Sequence, residues 1–181
     1  MTNIIYLFGH PGTGKYTIAK EIAKAGYIVC DNQLINNPIF ELLQYDGMTT
    51  PVPEFAWQAI EMIRKGIFHF LLCEKNNNYV LTNCLYEEEG DKKLFAQVEE
   101  LSAKRCSKFI PVKLTISKEE NTRRIEQPSR KERFKSVDPS DAQPKLPLLK
   151  CNHPNLIELE VSDLSAEEAA ENILAQVMRL S

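Results

Sequence analysis

The chain is predicted to be an α/β protein: a three-layer αβα sandwich with a five-stranded parallel sheet, built on a phosphate-binding loop (P-loop) and carrying an arginine-rich lid. Three observations predict this. Short apolar runs alternate with longer segments of helical periodicity, which is the pattern of a parallel sheet covered on both faces. Residues 9–17 read Gly-His-Pro-Gly-Thr-Gly-Lys-Tyr-Thr and hold G-x-x-x-x-G-K between an apolar run and a helical segment. A basic segment from Arg123 to Lys135 follows the fourth strand, with six cations against Glu126 and Glu132.

The elements follow in order. Asn3 to Phe8 is the first strand, and Gly14 to Ala25 the helix after the loop, stopped by Gly26. Tyr27 to Cys30 is the second strand, and Asn32 to Gln44 a helix that Pro38 is expected to interrupt. After a Pro- and Gly-containing loop, Glu54 to Lys75 is a long helix. Its apolar side is read as Phe55, Ala59, Met62, Ile63, Ile67, Phe70 and Leu71. Tyr79 to Leu81 is the third strand, Asp91 to Lys104 a helix, Phe109 to Ile116 the fourth strand and Lys118 to Glu126 a short helix. The proline-rich stretch Pro128 to Pro154 is the least regular, and about 128–150 is assigned to the lid inside one domain of 1–181. Leu156 to Val161 is the fifth strand. Ser165 and Glu168 then form a capping box on a last helix to Leu180.

Composition excludes several classes. A net charge of −3 gives no reason to expect a polyanionic partner, so no nucleic acid is expected. The most apolar stretch, Ile67 to Cys73, is too short to span a bilayer, and no membrane partner is expected. Five scattered cysteines without C-x-x-C read as reduced thiols, several of them buried, in a cytoplasmic protein. Monomer and homodimer are both left open.

The loop carries the chemistry. Its glycines let successive backbone N–H groups turn inward around an anion, the helix N-terminus adds its dipole, and Lys15 supplies a point charge for the outer phosphates. Gly9, His10, Pro11, Gly12, Thr13, Gly14, Lys15, Tyr16 and Thr17 are therefore the candidate nucleotide-binding residues. His10 is expected to contribute its backbone. The residue after the lysine, commonly the Ser or Thr that meets Mg²⁺, is Tyr16 here, with Thr17 next.

With these residues and Ile18-Ala19-Lys20, the segment resembles the P-loop of small nucleoside-, nucleotide- and metabolite-kinase-like proteins of the P-loop NTPase class. Adenylate kinases similarly carry a non-hydroxyl residue and then Thr after the lysine. The resemblance implies that Thr17 faces the phosphates and Mg²⁺ while Tyr16 points elsewhere. A strand-2 acid, here Asp31, also resembles shikimate kinases, gluconate kinases and zeta-toxin-like phosphotransferases, as does a basic lid after strand 4. By that resemblance Arg124 stacks on adenine, Arg130 reaches the phosphates and Arg133 backs it up.

Asp31, at the end of its strand, can take a substrate hydroxyl proton or hold Mg²⁺; the alternative is a cap for the next helix, and one residue can do both. Strand 3 ends in Thr82-Asn83 where an energy-coupling ATPase would place an acid; with Asn32 these are candidate substrate contacts. Glu87, Glu88 and Glu89 read as a solvated acidic loop, and Phe55 and Trp57 as core, with lining of the substrate side as the alternative. The expected function is an ATP- and Mg²⁺-dependent phosphotransferase. Lys15, Asp31 and Arg130 would be catalytic, Thr17 and Asp31 would meet the metal, and the acceptor would be a small polar metabolite or nucleotide. The alternatives are a slow nucleotide-hydrolysing regulatory protein and a nucleic-acid end kinase, the latter opposed by the acidic charge outside the lid.

Overall fold

The first strand, β1 (Asn3–Gly9), lies at the centre of the molecule and shows why the sheet forms. Ile5 and Leu7 pack on one face with Ile18, Ile22, Ile173 and Val177, whereas Ile4, Tyr6 and Phe8 pack on the other with Leu71, Val98 and Leu101. A strand covered on both faces needs a continuous apolar run, and Ile4 to Phe8 is fully buried. In this computed structural model, which describes residues 1–47, 50–135, 137–142 and 146–180 (backbone alone at 131–133 and 139), five parallel strands take the order β2-β3-β1-β4-β5. The others are β2 (Tyr27–Asp31), β3 (Asn78–Asn83), β4 (Lys108–Thr115) and β5 (Ile157–Glu160).

Helices α1 (Lys15–Ala23) and α6 (Ala166–Arg179) cover one face. Helices α3 (Glu54–Cys73) and α4 (Glu89–Lys104) cover the other. Ser165 closes the expected capping box with Glu168 at the start of α6. The α/β expectation therefore holds, with the five-stranded parallel sheet sandwiched between helical layers. No helix among the described residues is long and apolar enough to cross a membrane.

Three local expectations are corrected. Helix α2 (Asn32–Leu42) runs straight through Pro38 and ends before Gln44. The carbonyl that Pro38 leaves without a helical donor belongs to Leu34, which is half exposed, so water can satisfy it. The buried side of α3 is Ala56, Ile60 and Leu71 with Ile63 and Ile67 packed beside them; Phe55, Met62 and Phe70 are exposed, and so is Trp57, whose ring makes a T-shaped contact with Phe40 at 6.0 Å. The apolar stripe is thus rotated toward Ala56, a residue too small to mark the face from sequence. Of the cysteines, all free, only Cys30 is buried.

Two packing features hold the site end in place. Helix α5 (Lys118–Ile125) lies across the phosphate loop: an ideal Cβ on Gly12 would stand 2.0 Å from Asn121 Oδ1, and Gly12 has φ +87°. Beyond α5, two short 3-10 helices, Pro128–Arg133 and Pro139–Ala142, lead to a return segment. That segment is sewn to the chain after β3. Glu87 N–H donates to Pro147 O (3.0 Å), Leu149 N–H to Leu85 O (3.0 Å) and Lys150 N–H to Glu87 Oε1 (2.5 Å). Glu87 also pairs with Lys92 at 2.8 Å, so it is a latch and not the solvated loop residue expected.

At the opposite end, Arg105 is fully buried. Its guanidinium donates to Glu74 O (2.6 and 3.1 Å) and Asn77 O (3.2 Å) and lies over the Tyr79 ring at 5.0 Å, pinning the α3–β3 turn. Arg105→Ala is expected to lower stability by about 3 kcal/mol, read as a shifted urea midpoint, because it empties the space of a fully buried side chain and removes its bonds to the Glu74 and Asn77 carbonyls. Arg105→Lys recovers only part of it, since an ammonium lacks the fork. Gly12→Ala is expected to weaken nucleotide binding through the Asn121 clash and the left-handed backbone, with Asn121→Ala restoring part of the affinity in calorimetric titration.

Candidate active site

The phosphate loop joins β1 to α1 at the carboxyl end of the sheet, where ligands of open α/β folds bind. Gly14, with φ +82°, is the N-cap of α1, and no side chain caps the helix there among the described residues. The first-turn N–H groups, which have no acceptor within the helix, are thus left to an incoming anion. Lys15 folds back over the loop. Its Nζ donates to Gly9 O (2.8 Å), His10 O (2.7 Å) and Thr13 Oγ1 (3.3 Å), while Thr13 Oγ1 itself donates to His10 O (2.9 Å).

The electrostatics of Lys15 fit a phosphate contact. Desolvation pushes its pKa down; the Cys84 thiol, hydrogen-bonded to it, works the other way, and the charge of Arg130 adds to the depression. The negative charge of a bound phosphate would offset both depressing effects. Arg130 in turn has its pKa lowered by burial, with the negative charge of Asp141 opposing the shift. Lys15 and Arg130 therefore share one electrostatic neighbourhood around Cys84. The His10 ring leans on Tyr86 at 5.8 Å, and burial and then Lys15 lower its pKa.

Asp31 is buried at the end of β2 and does cap α2, accepting from Leu34 N–H at 3.3 Å. It also lines a cavity of about 670 Å³ with Tyr16, Gln33, Asn37, Glu41 and Phe134. The cavity runs from the loop to the flank of α2. Tyr16, and not Thr17, thus shares this space with Asp31; Thr17 is exposed in the first turn of α1. Lys135 and Lys20 lie against the Tyr16 ring, 5.1 and 5.8 Å from its centroid.

On the other side of Asp31, Asn32, Thr82 and Asn83 meet. Asn83 Nδ2 donates to Asn32 Oδ1 (3.0 Å), Asn32 N–H to Thr82 Oγ1 (3.4 Å), and Tyr6 OH to Asn83 Oδ1 (3.1 Å). The structure adds Arg64, which donates to Asn32 Oδ1 at 3.4 Å and pairs with Glu61 at 3.1 Å. Sequence reasoning missed it. The signal was there: an arginine four residues past Ile60 and three before Ile67, beside the buried stripe of α3.

Arg124 lies beside Gly14 and is held by Glu120 Oε1 (2.6 Å) and by the carbonyls of Val161 (2.8 Å) and Ser162 (3.2 Å). The hydrogen bonds from Arg123 and Arg124 draw the Glu120 pKa down to about 2. The guanidinium plane is thereby fixed between the loop and the chain after β5. The Arg133 side chain lies outside the described residues.

No protein-family model matches the chain, and no curated protein matches it. Solved structures do. A gluconokinase from Sinorhizobium meliloti 1021 superposes with a TM-score of 0.61 at 16% identity, over 98% of this chain and 93% of that one. The Mycobacterium tuberculosis APS kinase, in complex with AMPPNP and APS, gives 0.61 at 14% identity over 98% of each chain. A shikimate kinase from Acinetobacter baumannii, in complex with shikimate, gives 0.55 at 16% identity over 100% of this chain and 96% of that one. The order of the strands, the loop between β1 and α1 and the basic segment after β4 belong together in one architecture: this chain has the fold of the P-loop small-molecule kinases.

Proposed function

We propose that the protein transfers the γ-phosphoryl group of ATP to a hydroxyl or phosphate of a small polar metabolite or nucleotide, with 1–181 acting as one domain and about 128–150 as its lid. The observation that carries this reading is the meeting of the phosphate loop and Asp31 in one cavity through Tyr16. Gly9 to Thr17 would hold the triphosphate, and Lys15 would exchange its bonds to Gly9 O and His10 O for the outer phosphates. Arg124, fixed beside Gly14, would present its face to the base, and Arg130, with Arg133 behind it, would offset charge on the transferred group. Asp31 would accept the proton of the attacking hydroxyl, as its place on the cavity wall allows. Asn32, Thr82 and Asn83 would orient the acceptor.

Among the described residues no group of three or more His, Cys, Asp or Glu converges on a metal site. Mg²⁺ carried by nucleotide phosphates needs only one or two protein oxygens; Thr17 and Asp31 are the ones proposed, and since they do not line one cavity, either would supply a single oxygen. Bound there, the ion would neutralise the phosphate oxygens.

One observation favours a second reading, a nucleotide-binding regulator without an acceptor. Tyr16 stands where a metal-side hydroxyl is common, and Asn83, in place of an acid, is tied to Tyr6 and Asn32. Acceptor-stimulated ADP release separates the two readings.

With an acceptor identified, Asp31→Asn is expected to lower phosphotransfer about 10²–10⁴-fold while leaving the far-UV spectrum unchanged. Arg130→Ala is expected to lower it by about 10³-fold or more with less effect on ATP affinity. An Asp31→Asn protein that folds and turns over at the parent rate rules out Asp31 as the base.

A further inference from the structure

Helix α3 carries a second apolar stripe, on the side away from the one it buries. Phe55, Met62 and Phe70 are exposed by 68, 67 and 59%. Ala59 and Gly66 fall between them, at the three- and four-residue steps that keep to one face of a helix. None of these residues lines the Asp31 cavity, and the buried side of α3 already packs on α2 and the sheet.

Gly66 sets the stripe apart from scattered surface hydrophobes. It lies in the interior of a 20-residue helix, where glycine is less stable than alanine. A Cβ there would meet no described residue within 4 Å beyond its own helix. Nothing in the described chain needs the missing methyl group. A second helix packed on this face would use it, because the two backbones could then approach closely.

The order of sizes says what that helix is. Phe55, Ala59, Met62, Gly66 and Phe70 run large, small, Met, small, large from either end. Turned end for end about a point between Met62 and Ile63, Phe55 falls opposite Phe70 and Ala59 opposite Gly66, with the two methionines beside the axis. A two-fold contact requires such a patch, complementary to itself. The same rotation sets Lys65 beside Glu61 and Gln58 of the second copy, and His69 beside its Glu54, so opposite charges meet along one flank. Phe55, Met62 and Phe70 offer on the order of 400 Å² of accessible surface per copy. With the flanking polar residues the contact would bury roughly 1,200 Å² in all, the lower end of specific interfaces. We propose that the chain forms a two-fold dimer through α3, the two copies of the helix running antiparallel and meeting at Met62. Neither nucleotide nor acceptor takes part in it.

Sedimentation velocity on the full chain without ligand, from about 1 to about 100 µM, reads the association. A shift from the mass of one chain to twice that mass is expected within this range. Gly66→Gln is expected to raise the dissociation constant about tenfold or more without lowering the urea midpoint of the dilute monomer, since glutamine is the better helix former. Phe55→Lys and Phe70→Glu are each expected to weaken association by about tenfold. The double variant is expected to recover most of that loss, because antiparallel pairing sets position 55 against position 70 of the second copy. A chain that stays monomeric to about 100 µM overturns the proposal and leaves the stripe to a different partner or to none. A dimer indifferent to Gly66→Gln, or a double variant weaker than either single one, overturns the antiparallel contact.

Discussion

Everything at the site end of this molecule depends on one ammonium. Lys15 is held by the carbonyls of Gly9 and His10, so the loop is closed around a cation before any ligand arrives. Desolvation makes that cation costly, and its hydrogen bonds keep it in place. These bonds hold the loop in one shape, which lowers the ordering that binding a nucleotide would require. Gly12 pressed by Asn121, Thr13 bonded to His10 O and Gly14 at the head of α1 all serve the same closed turn.

Around that turn, strand order does the positioning. Because β3 lies between β1 and β2, Asp31 and the loop are set apart by one strand, and the end of β3 fills the interval with Thr82, Asn83 and then Cys84. A carboxylate one strand removed from the phosphate loop is far enough not to repel the phosphates directly and near enough to share a cavity with Tyr16. On the other side, α5 brings Arg124 to Gly14, and the turn after it brings Arg130 into the field of Lys15. The Glu87 latch ties the return arm of this segment to the chain after β3.

What was legible in the sequence was what local chemistry determines. Ile4 to Phe8 announced a doubly covered strand, Gly9 to Lys15 a phosphate loop, and Ser165 with Glu168 a helix start; each depends on neighbours in the chain alone. What was not legible depends on packing. Pro38 does not stop α2, because the carbonyl it deprives belongs to Leu34, a half-exposed residue. Phe55, Met62 and Phe70 carry more hydrophobicity than Ala56, but it is Ala56 that the fold buries. Asp31 was open to a cap role and a site role, and its geometry accommodates both, because one oxygen on Leu34 N–H still leaves the residue on the cavity wall. Arg64 was passed over although its spacing from Ile60 and Ile67 set it beside the buried stripe of α3, because its contact with Asn32 follows only from how α3 lies against the strand ends. The orientation of Tyr16 belongs to the same class: a residue in the first turn of a helix can face several ways, and only the placement of α2 and Phe134 fixes which.

The most direct measurement is a crystal structure of the protein grown with AMPPNP and Mg²⁺. A preformed phosphate loop predicts the triphosphate wrapped by residues 9–17 with little backbone movement, Lys15 Nζ on the outer phosphates and the γ-phosphate facing the Asp31 cavity. Nucleotide bound elsewhere, or a loop still closed on itself with Lys15 on Gly9 O and His10 O at saturating AMPPNP, would contradict it.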